Sequence, residues 1–593
     1  MSFYEEESAQ TSVYDRRVAG RLMRYLRPYG PQVIASVLMM LAVAVLELLP
    51  VLIVRAAIDD HIAIGKTDGL GTLALVFLGA LVLTFVLRYA QMYLMAWVGQ
   101  RMMVDLRMQL FTHIQRLAVA FFDRNPVGRV VIRLTGDVQQ IEMVISQGVI
   151  QILTNMLIVL AVVVAMFLLH WQLALLMMCF VVPLVYLVQR FAEAQRQAFR
   201  EQRIWMARIN AYLNELITGV TIIQLFNRQR QNLAYFNERN TGALEANMRV
   251  LFWYAAFEPT VVLFNAITAG AIIWFGGRGV LDDSITLGTL VAFLAFMQRF
   301  FWPVRELSER YTMLQGAMAS SERIFGVLDE AEEVTDIEGA GTLGQVRGEI
   351  RFDHVWFAYQ EPNWVLKDVS FTIQPGEKVA IVGATGAGKS TMMALLSRFY
   401  DVQRGAILVD GVPIRDLQQR WLRRHVGTML QDPWVFTDTI EENIRLRDRS
   451  ISAEQIRAAA RAVGAAPFIE RLPDGYGTML AERGANLSTG QKQLLALARV
   501  AAFNPEIVLV MDEATASIDP ETEAVIQRGL SEVMAGRTAV IIAHRLNTIR
   551  AVDRIIVLHQ GEVVEDGSHE ALMALGGIYA RLYELQYRVQ GGV

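Results

Sequence analysis

The stretch GATGAGKST at 383–391 is the part of this 593-residue chain best equipped for chemistry. It fits the pattern G-x-x-x-x-G-K-[ST] and lies between the apolar run KVAIV and the helical run MMALLSRFY. Gly383, Gly386 and Gly388 let backbone N–H groups wrap phosphate oxygens at a helix N-terminus, where the helix dipole also favours negative charge. Lys389 reaches the outer phosphates, and the Ser390 hydroxyl can ligate Mg²⁺. Thr385 and Thr391 complete the set expected to bind the ligand.

A second cluster ends the apolar run EIVLVMDEATASID at 506–519. Asp512, at a strand end, is placed to hold Mg²⁺ directly or through water. Glu513 is then the group that orients or deprotonates an attacking water. Adjacent carboxylates are common on surfaces, but a surface pair does not usually follow five apolar residues. TAVIIAHR at 538–545 is a further buried strand ending in His544. Most lone histidines are structural; one at the C-terminal end of a strand beside a phosphate site is well placed to sense a terminal phosphate.

These groups need an α/β frame, and the last 250 residues supply the pattern for one. GEIRFDHVWFAY (348–359) and SFTIQPGEKVAIVG (370–383) alternate or run apolar as strands do. The first 300 residues are different. Hydrophobic residues make up 53% of the chain and charged residues 19%, and the apolar excess is concentrated there. Six segments are long and apolar enough to cross a bilayer, near 33–57, 71–98, 143–168, 171–190, 251–275 and 286–303. The expected architecture is multi-domain: an all-α six-helix transmembrane domain at 1–328, a linker at 329–347 and an α/β P-loop ATPase domain at 348–593.

Arginines set the orientation. Arg16, Arg17, Arg21, Arg24 and Arg27 precede the first span, and the connections 99–142 and 191–250 are rich in arginine. The opposite loops carry only Lys66 and Arg278. Both termini and the ATPase domain are therefore expected in the cytoplasm, with the chain multi-pass in the cell membrane. The polar start MSFYEEESAQ does not read as a cleaved signal. The two long cytoplasmic connections break at FFDRNPVGR (121–129) and ITGVTIIQLFNRQ (217–229), as helices that run past the bilayer, turn and return would do. A net charge of −4 gives no sign of nucleic-acid binding, and the single Cys179 excludes an internal disulfide.

Polar residues inside the spans have two readings. Interhelical hydrogen bonding and snorkelling account for many of them. The other reading is a water-filled substrate cavity, with Glu47, Arg88, Glu258 and Arg299 as its candidate lining.

Taken together, these motifs resemble the ABC transporter superfamily, and specifically exporter-type half-transporters with both domains on one chain. The resemblance covers nearly the whole sequence. It implies that Tyr359 stacks on the adenine of ATP, and that Gln431 in LQDPWVF links Mg²⁺ to the membrane domain. It also identifies LSTGQKQ (487–493) as the signature motif, with Ser488, Thr489, Gly490 and Gln491 acting on the partner's ATP, and Asp519 as the D-loop acid. Glu482–Arg483–Gly484 resembles the exporter loop that contacts coupling helices, and 121–129 and 217–229 resemble those helices. ATP and Mg²⁺ are the implied cofactors, with Glu513, His544 and Gln431 as the catalytic set.

Family signatures usually read LSGGQ, and here Thr489 stands at the first glycine. LSTGQKQLLALAR together with Glu513 resembles the second subunits of bacterial heterodimeric multidrug-type exporters, so a different half-transporter is the expected partner. A homodimeric lipid flippase or multidrug exporter is the alternative. The expected cargo is an amphipathic drug or lipid. An ATP-gated channel or regulatory membrane protein is a further reading, disfavoured because Lys389, Asp512, Glu513 and His544 are all present.

Overall fold

The computed structural model describes residues 16–512, 519–543 and 549–590. The chain divides into two compact units. One comprises Met1–Gln115 and Val127–Glu330; the other comprises Arg116–Pro126 and Ala331–Val593.

The first unit is helical throughout its described residues. Span 1 is two helices, Gly30–Leu46 and Leu49–Ala57, interrupted at Glu47 and Leu48. Pro50 accounts for the break: it has no N–H to donate back to Leu46, but it fits the first turn of the helix that follows. Span 2, Leu70–Ile114, runs unbroken for 45 residues. At 1.5 Å per residue that is about 68 Å, more than twice the roughly 30 Å of a bilayer's hydrocarbon. Span 3 is Ile150–Leu169, approached through wide-turned π-helical segments at Arg133–Asp137 and Val144–Val149.

Spans 4 and 5 lie on the helices Trp171–Thr218 and Gln229–Leu281. The two helices pack antiparallel along most of their length. Phe191 meets Trp253 edge-on at 5.8 Å and Gln202 donates to Asn247 at 2.6 Å. Between them the short helix Val220–Leu225 makes the turn. Span 6 opens the helix Leu287–Leu328. Asp59 at the far end of span 1 caps that helix: its carboxylate accepts from the Gly288 N–H at 2.7 Å and the Thr286 hydroxyl at 2.6 Å.

Among the described residues, five helices are long and apolar enough to cross a membrane. The sixth carries, among the described residues, the apolar stretch Leu287–Phe301. The unit's core draws on spans 1, 3, 4, 5 and 6, with Val162, Met166, Met177, Ile272, Phe293 and Phe296 fully buried.

The second unit contains two sheets. Its strands are β1 (Ile350–Phe357), β2 (Leu366–Ile373), β3 (Lys378–Val382), β4 (Arg404–Val409), β5 (Val412–Pro413), β6 (Val426–Met429), β7 (Ile507–Asp512), β8 (Thr538–Ala543), β9 (Arg554–His559) and β10 (Glu562–Gly567). A four-stranded antiparallel sheet has the order β2-β1-β4-β5, and a six-stranded sheet the order β10-β9-β3-β8-β7-β6. In the larger sheet every pairing but β10 with β9 is parallel. Short continuous apolar runs such as KVAIV suit this position, because helices or the second sheet cover both faces. The C-terminal ends of β3, β7 and β8 therefore lie side by side, where open α/β sheets bind ligands.

The segment 331–341 lies along this unit. Arg398 is fully buried and donates to the Asp336 carboxylate at 3.1 Å and to the Thr335 carbonyl at 2.9 Å, while the Gly341 N–H donates to Asp416. Arg116–Pro126 belongs to the same unit although it stands between spans 2 and 3 in sequence. Its short helix Val119–Arg124 ends where Asn125, preceding Pro126, turns extended. There Arg124 pairs with Glu333 at 2.5 Å, and Asp123 accepts a hydrogen bond from Tyr400.

Candidate functional site

The loop 383–388 leads from β3 into the helix Lys389–Leu396, with Gly388 as its N-cap. Gly386 and Gly388 have φ of +83° and +105°, values that L side chains rarely adopt. A methyl group on Gly383 would collide with the Leu558 carbonyl, and one on Gly388 would sit 2.6 Å from Leu366 Cδ2. The loop thus needs glycine for backbone conformation at two positions and for close packing at two. Its N–H groups are left to line a concave helix N-terminus.

Lys389 is buried, and its Nζ donates to the Gly383 and Ala384 carbonyls at 2.7 and 3.0 Å. The ammonium is folded across the mouth of its own loop, where a phosphate could take over those contacts. Thr385 and Ser390 are exposed. Thr391 is buried and lies 3.2 Å from the Tyr359 hydroxyl. The Tyr359 ring is half-exposed and set edge-on to Phe357 and Tyr400 at 4.9 and 5.2 Å, which leaves one side open for a planar ligand.

Asp512 ends β7 in register with Ala543 at the end of β8. Glu513 and His544 lie outside the described residues. Gln431 is exposed in the loop that follows β6. The donor set fits a nucleotide with Mg²⁺: Ser390 stands at the first turn of the loop's helix, and Asp512 ends a strand of the sheet that carries the loop.

The signature residues open the helix Thr489–Phe503. Ser488 is its N-cap, and a capping box joins it reciprocally to Gln491: the Gln491 N–H donates to Ser488 Oγ at 3.2 Å, and the Ser488 N–H to Gln491 Oε1 at 2.9 Å. Thr489 is exposed at the first helical position and Gly490 is buried. Asp519 caps the helix Pro520–Met534. Hydrogen bonding from the Thr522 backbone holds its carboxyl below the usual carboxylate range.

Two groups that the motifs did not single out, Arg499 and Asn443, brace this arrangement together with Arg483. Arg499, on the signature helix, donates to the Asn443 carbonyl at 2.9 Å and to the Trp434 carbonyl at 3.2 Å. Burial pushes its guanidinium pKa down. Asn443 in turn holds both backbone groups of Phe436. Arg483 of the Glu482–Arg483–Gly484 turn stacks over the Trp434 ring at 5.2 Å. The loop after Gln431 is thus pinned from two sides.

In the membrane unit three of the four cavity candidates meet. Glu47, at the break in span 1, accepts from Arg88 of span 2 at 2.9 Å and from Arg299 of span 6 at 3.1 Å. Glu258 lies on span 5 and is exposed.

Two family profiles match the chain: "ABC transporter transmembrane region" over residues 33–304 and "ABC transporter" over 366–516. It is 39% identical to the probable multidrug resistance ABC transporter ATP-binding/permease protein YheH of Bacillus subtilis, across 88% of this chain and 77% of that protein. It is 34% identical to the ATP-dependent lipid A-core flippase of Syntrophus aciditrophicus, across 96% of this chain and 94% of that one. Its fold matches a bacterial Atm1-family ABC exporter with ATP bound, with a TM-score of 0.77 and 29% identity, over 95% and 98% of the two chains.

The chain belongs to the ABC transporter family. It is a multi-pass membrane protein of the exporter type, with its ATP-binding part fused behind the membrane part and an ATPase activity coupled to transport.

Proposed function

We propose that this chain is one half of an exporter that uses ATP to move amphipathic compounds, drugs or lipids, across the cell membrane by alternating access. The carrying observation is the cradle at 383–391, with Lys389 held at its mouth, in a chain that also crosses the bilayer repeatedly. The multidrug and lipid-flippase relatives support the cargo class. In this reading 1–328 is the membrane domain, 329–347 the linker and 348–593 the nucleotide domain, which faces the cytoplasm.

Tyr359 stacks on adenine, and Gly383, Thr385, Gly386, Gly388, Lys389 and Thr391 hold the phosphates. Ser390, Gln431 and Asp512 would hold Mg²⁺, which when bound screens the charge of the outer phosphates. Glu513 orients and deprotonates the attacking water, and His544 senses the terminal phosphate. Ser488, Thr489, Gly490 and Gln491 present a helix N-terminus to the ATP of a second half-transporter. Nucleotide shared in this way joins two halves, and hydrolysis releases them. Because Thr489 crowds the phosphate that this signature receives, the partner is a different half.

Co-purification with the neighbouring half-transporter, then dye or lipid transport into inverted vesicles, tests this. Transport should require both chains and stop with Glu513→Gln. Full activity of this chain as a homodimer would remove the heterodimer. Unchanged transport by the Glu513→Gln variant would remove the pump.

A further inference from the structure

We propose that Glu47, Arg88 and Arg299 form the headgroup site for an anionic amphiphile, a deeper reading that rests on the exporter function above. The three side chains come from three spans and meet at the one place where span 1 is broken. Each oxygen of the single carboxylate is taken by a different guanidinium. Two positive charges against one negative leave an excess of one in this cluster, which disfavours a cationic head.

That excess lies inside otherwise apolar helices, where an uncompensated charge is expensive. Half of the Arg88 side chain is nevertheless exposed, against 29% for Arg299 and 21% for Glu47. Hydrocarbon cannot satisfy the donors of a half-exposed guanidinium, whereas water or an anion can. A carboxylate or a phosphate can satisfy the free Arg88 donors in bidentate fashion, which a neutral or cationic head cannot.

The surface beside Arg88 supplies the apolar half of the recognition. Phe85, Tyr89 and Tyr93 are stacked at successive four-residue steps along span 2, with centroids 6.5 and 6.3 Å apart, and each ring is well exposed. This row of exposed rings flanks the charged group on the same helix. A ligand with an acyl or aryl body and an anionic end covers both features at once.

The test measures substrate-stimulated ATPase of the complete reconstituted transporter. The probes are dodecanoate, its methyl ester, dodecyl phosphate and dodecyltrimethylammonium, all below their critical micelle concentrations. The two anions should half-saturate at about tenfold lower concentration than the ester, in keeping with a charge-assisted contact, and the ammonium should be weakest. The ratio of dodecanoate to dodecyl phosphate then says whether a carboxylate or a phosphate head fits. Arg88→Gln with Arg299→Gln should erase the preference, whereas Arg88→Lys, which keeps the charge but not the bidentate fork, should retain part of it.

Equal response to ester and anions, or a preference that survives the double substitution, overturns the charge assignment and leaves the exporter reading standing. Should the double variant misfold, the ester-to-anion ratio of the unaltered protein decides by itself. Indifference to all four probes overturns the exporter of amphiphiles together with the site.

Discussion

Tyr400 donates its hydroxyl hydrogen to the carboxylate of Asp123. The bond joins the ring that backs Tyr359 to a short helix belonging to the connection between spans 2 and 3. Tyr359, whose hydroxyl lies against Thr391 of the phosphate loop's helix, thus shares a continuous chain of contacts with Asp123. A shift of Tyr359 on nucleotide binding would be felt at the connection between the spans.

Tyr400→Phe keeps the edge-on ring contact and removes the hydrogen bond. ATP affinity should change by less than about threefold, while stimulation of ATPase by transported compound should fall by about tenfold, as expected for lost coupling of 1–2 kcal/mol. Titration with fluorescent ATP and ATPase assays would separate the two effects. The pH dependence has a defined sign. Burial, and then the bond to Asp123, raises the Tyr400 pKa above the ordinary tyrosine value. A group whose pKa is raised by folding contributes stability below its unfolded value of about 10 and loses it only as pH rises through the folded value. Coupling through this bond should therefore be constant from neutral pH to mildly alkaline pH.

The glycines of the phosphate loop should fail for different reasons. A methyl at Gly383 meets the Leu558 carbonyl, which is backbone and cannot swing away, whereas one at Gly386 meets nothing within 4 Å and suffers only from its φ of +83°. Gly383→Ala should destabilise the nucleotide unit by about 2–3 kcal/mol, by analogy with overpacked cores. Gly386→Ala should cost about 1 kcal/mol of backbone strain. Thermal unfolding would rank them. Lys389→Ala should leave the melting temperature nearly unchanged yet lower ATPase by at least about a hundredfold, since the lysine's role lies with bound phosphate.

Much of this architecture is legible in the sequence, and the illegible part has a common cause. The phosphate loop is readable because its function depends on backbone groups of consecutive residues, so pattern and geometry coincide. The breaks at FFDRNPVGR and ITGVTIIQLFNRQ are readable because proline, glycine and polar residues interrupt long helical periodicity; the short helices Val119–Arg124 and Val220–Leu225 lie there. Arg398, Arg499 and Tyr400 are not readable. Their bonds to Asp336, Trp434 and Asp123 span 62, 65 and 277 positions, and no local spacing encodes such contacts. In a chain with 55 basic residues, a buried arginine carries no distinguishing mark. The Glu47 cluster is an intermediate case. Its residues stand out as charges in apolar runs, but only the break before Pro50 and the packing of spans 1, 2 and 6 bring them together.

Arg499 offers a test of how the signature helix is held. Its guanidinium is largely buried and, among the described residues, donates only to the backbone carbonyls of Asn443 and Trp434. Arg499→Met keeps the apolar stem and removes the donors, leaving buried carbonyls unpaired at a cost of about 1–3 kcal/mol. The melting temperature should fall accordingly. Because the loop after Gln431 loses one of its two braces, ATPase should also become less responsive to transported compound. Arg483→Ala, which removes the stacking on Trp434, should lower the response further without a comparable loss of stability, since that contact is exposed.

Thr489 separates the stability of the signature from its function. The residue occupies the first position of the helix Thr489–Phe503, where its side chain points away from the core and its N–H remains available. The capping box between Ser488 and Gln491 sets the helix N-terminus independently of it. Thr489→Gly should thus cost less than about 1 kcal/mol of helix stability, because the substitution falls at a terminus and not in the interior. Removing the side chain would let a phosphate approach the helix N-terminus more closely. If the second half-transporter carries an intact catalytic glutamate, ATPase of the assembled pair should rise by about two- to threefold, the worth of a fraction of a kcal/mol of added phosphate binding. If that glutamate is absent, nucleotide should dwell longer at the partner's site while turnover stays level. Measuring trapped nucleotide and turnover in the same preparation distinguishes the two, and a fall in both would show that the threonine contributes to the site.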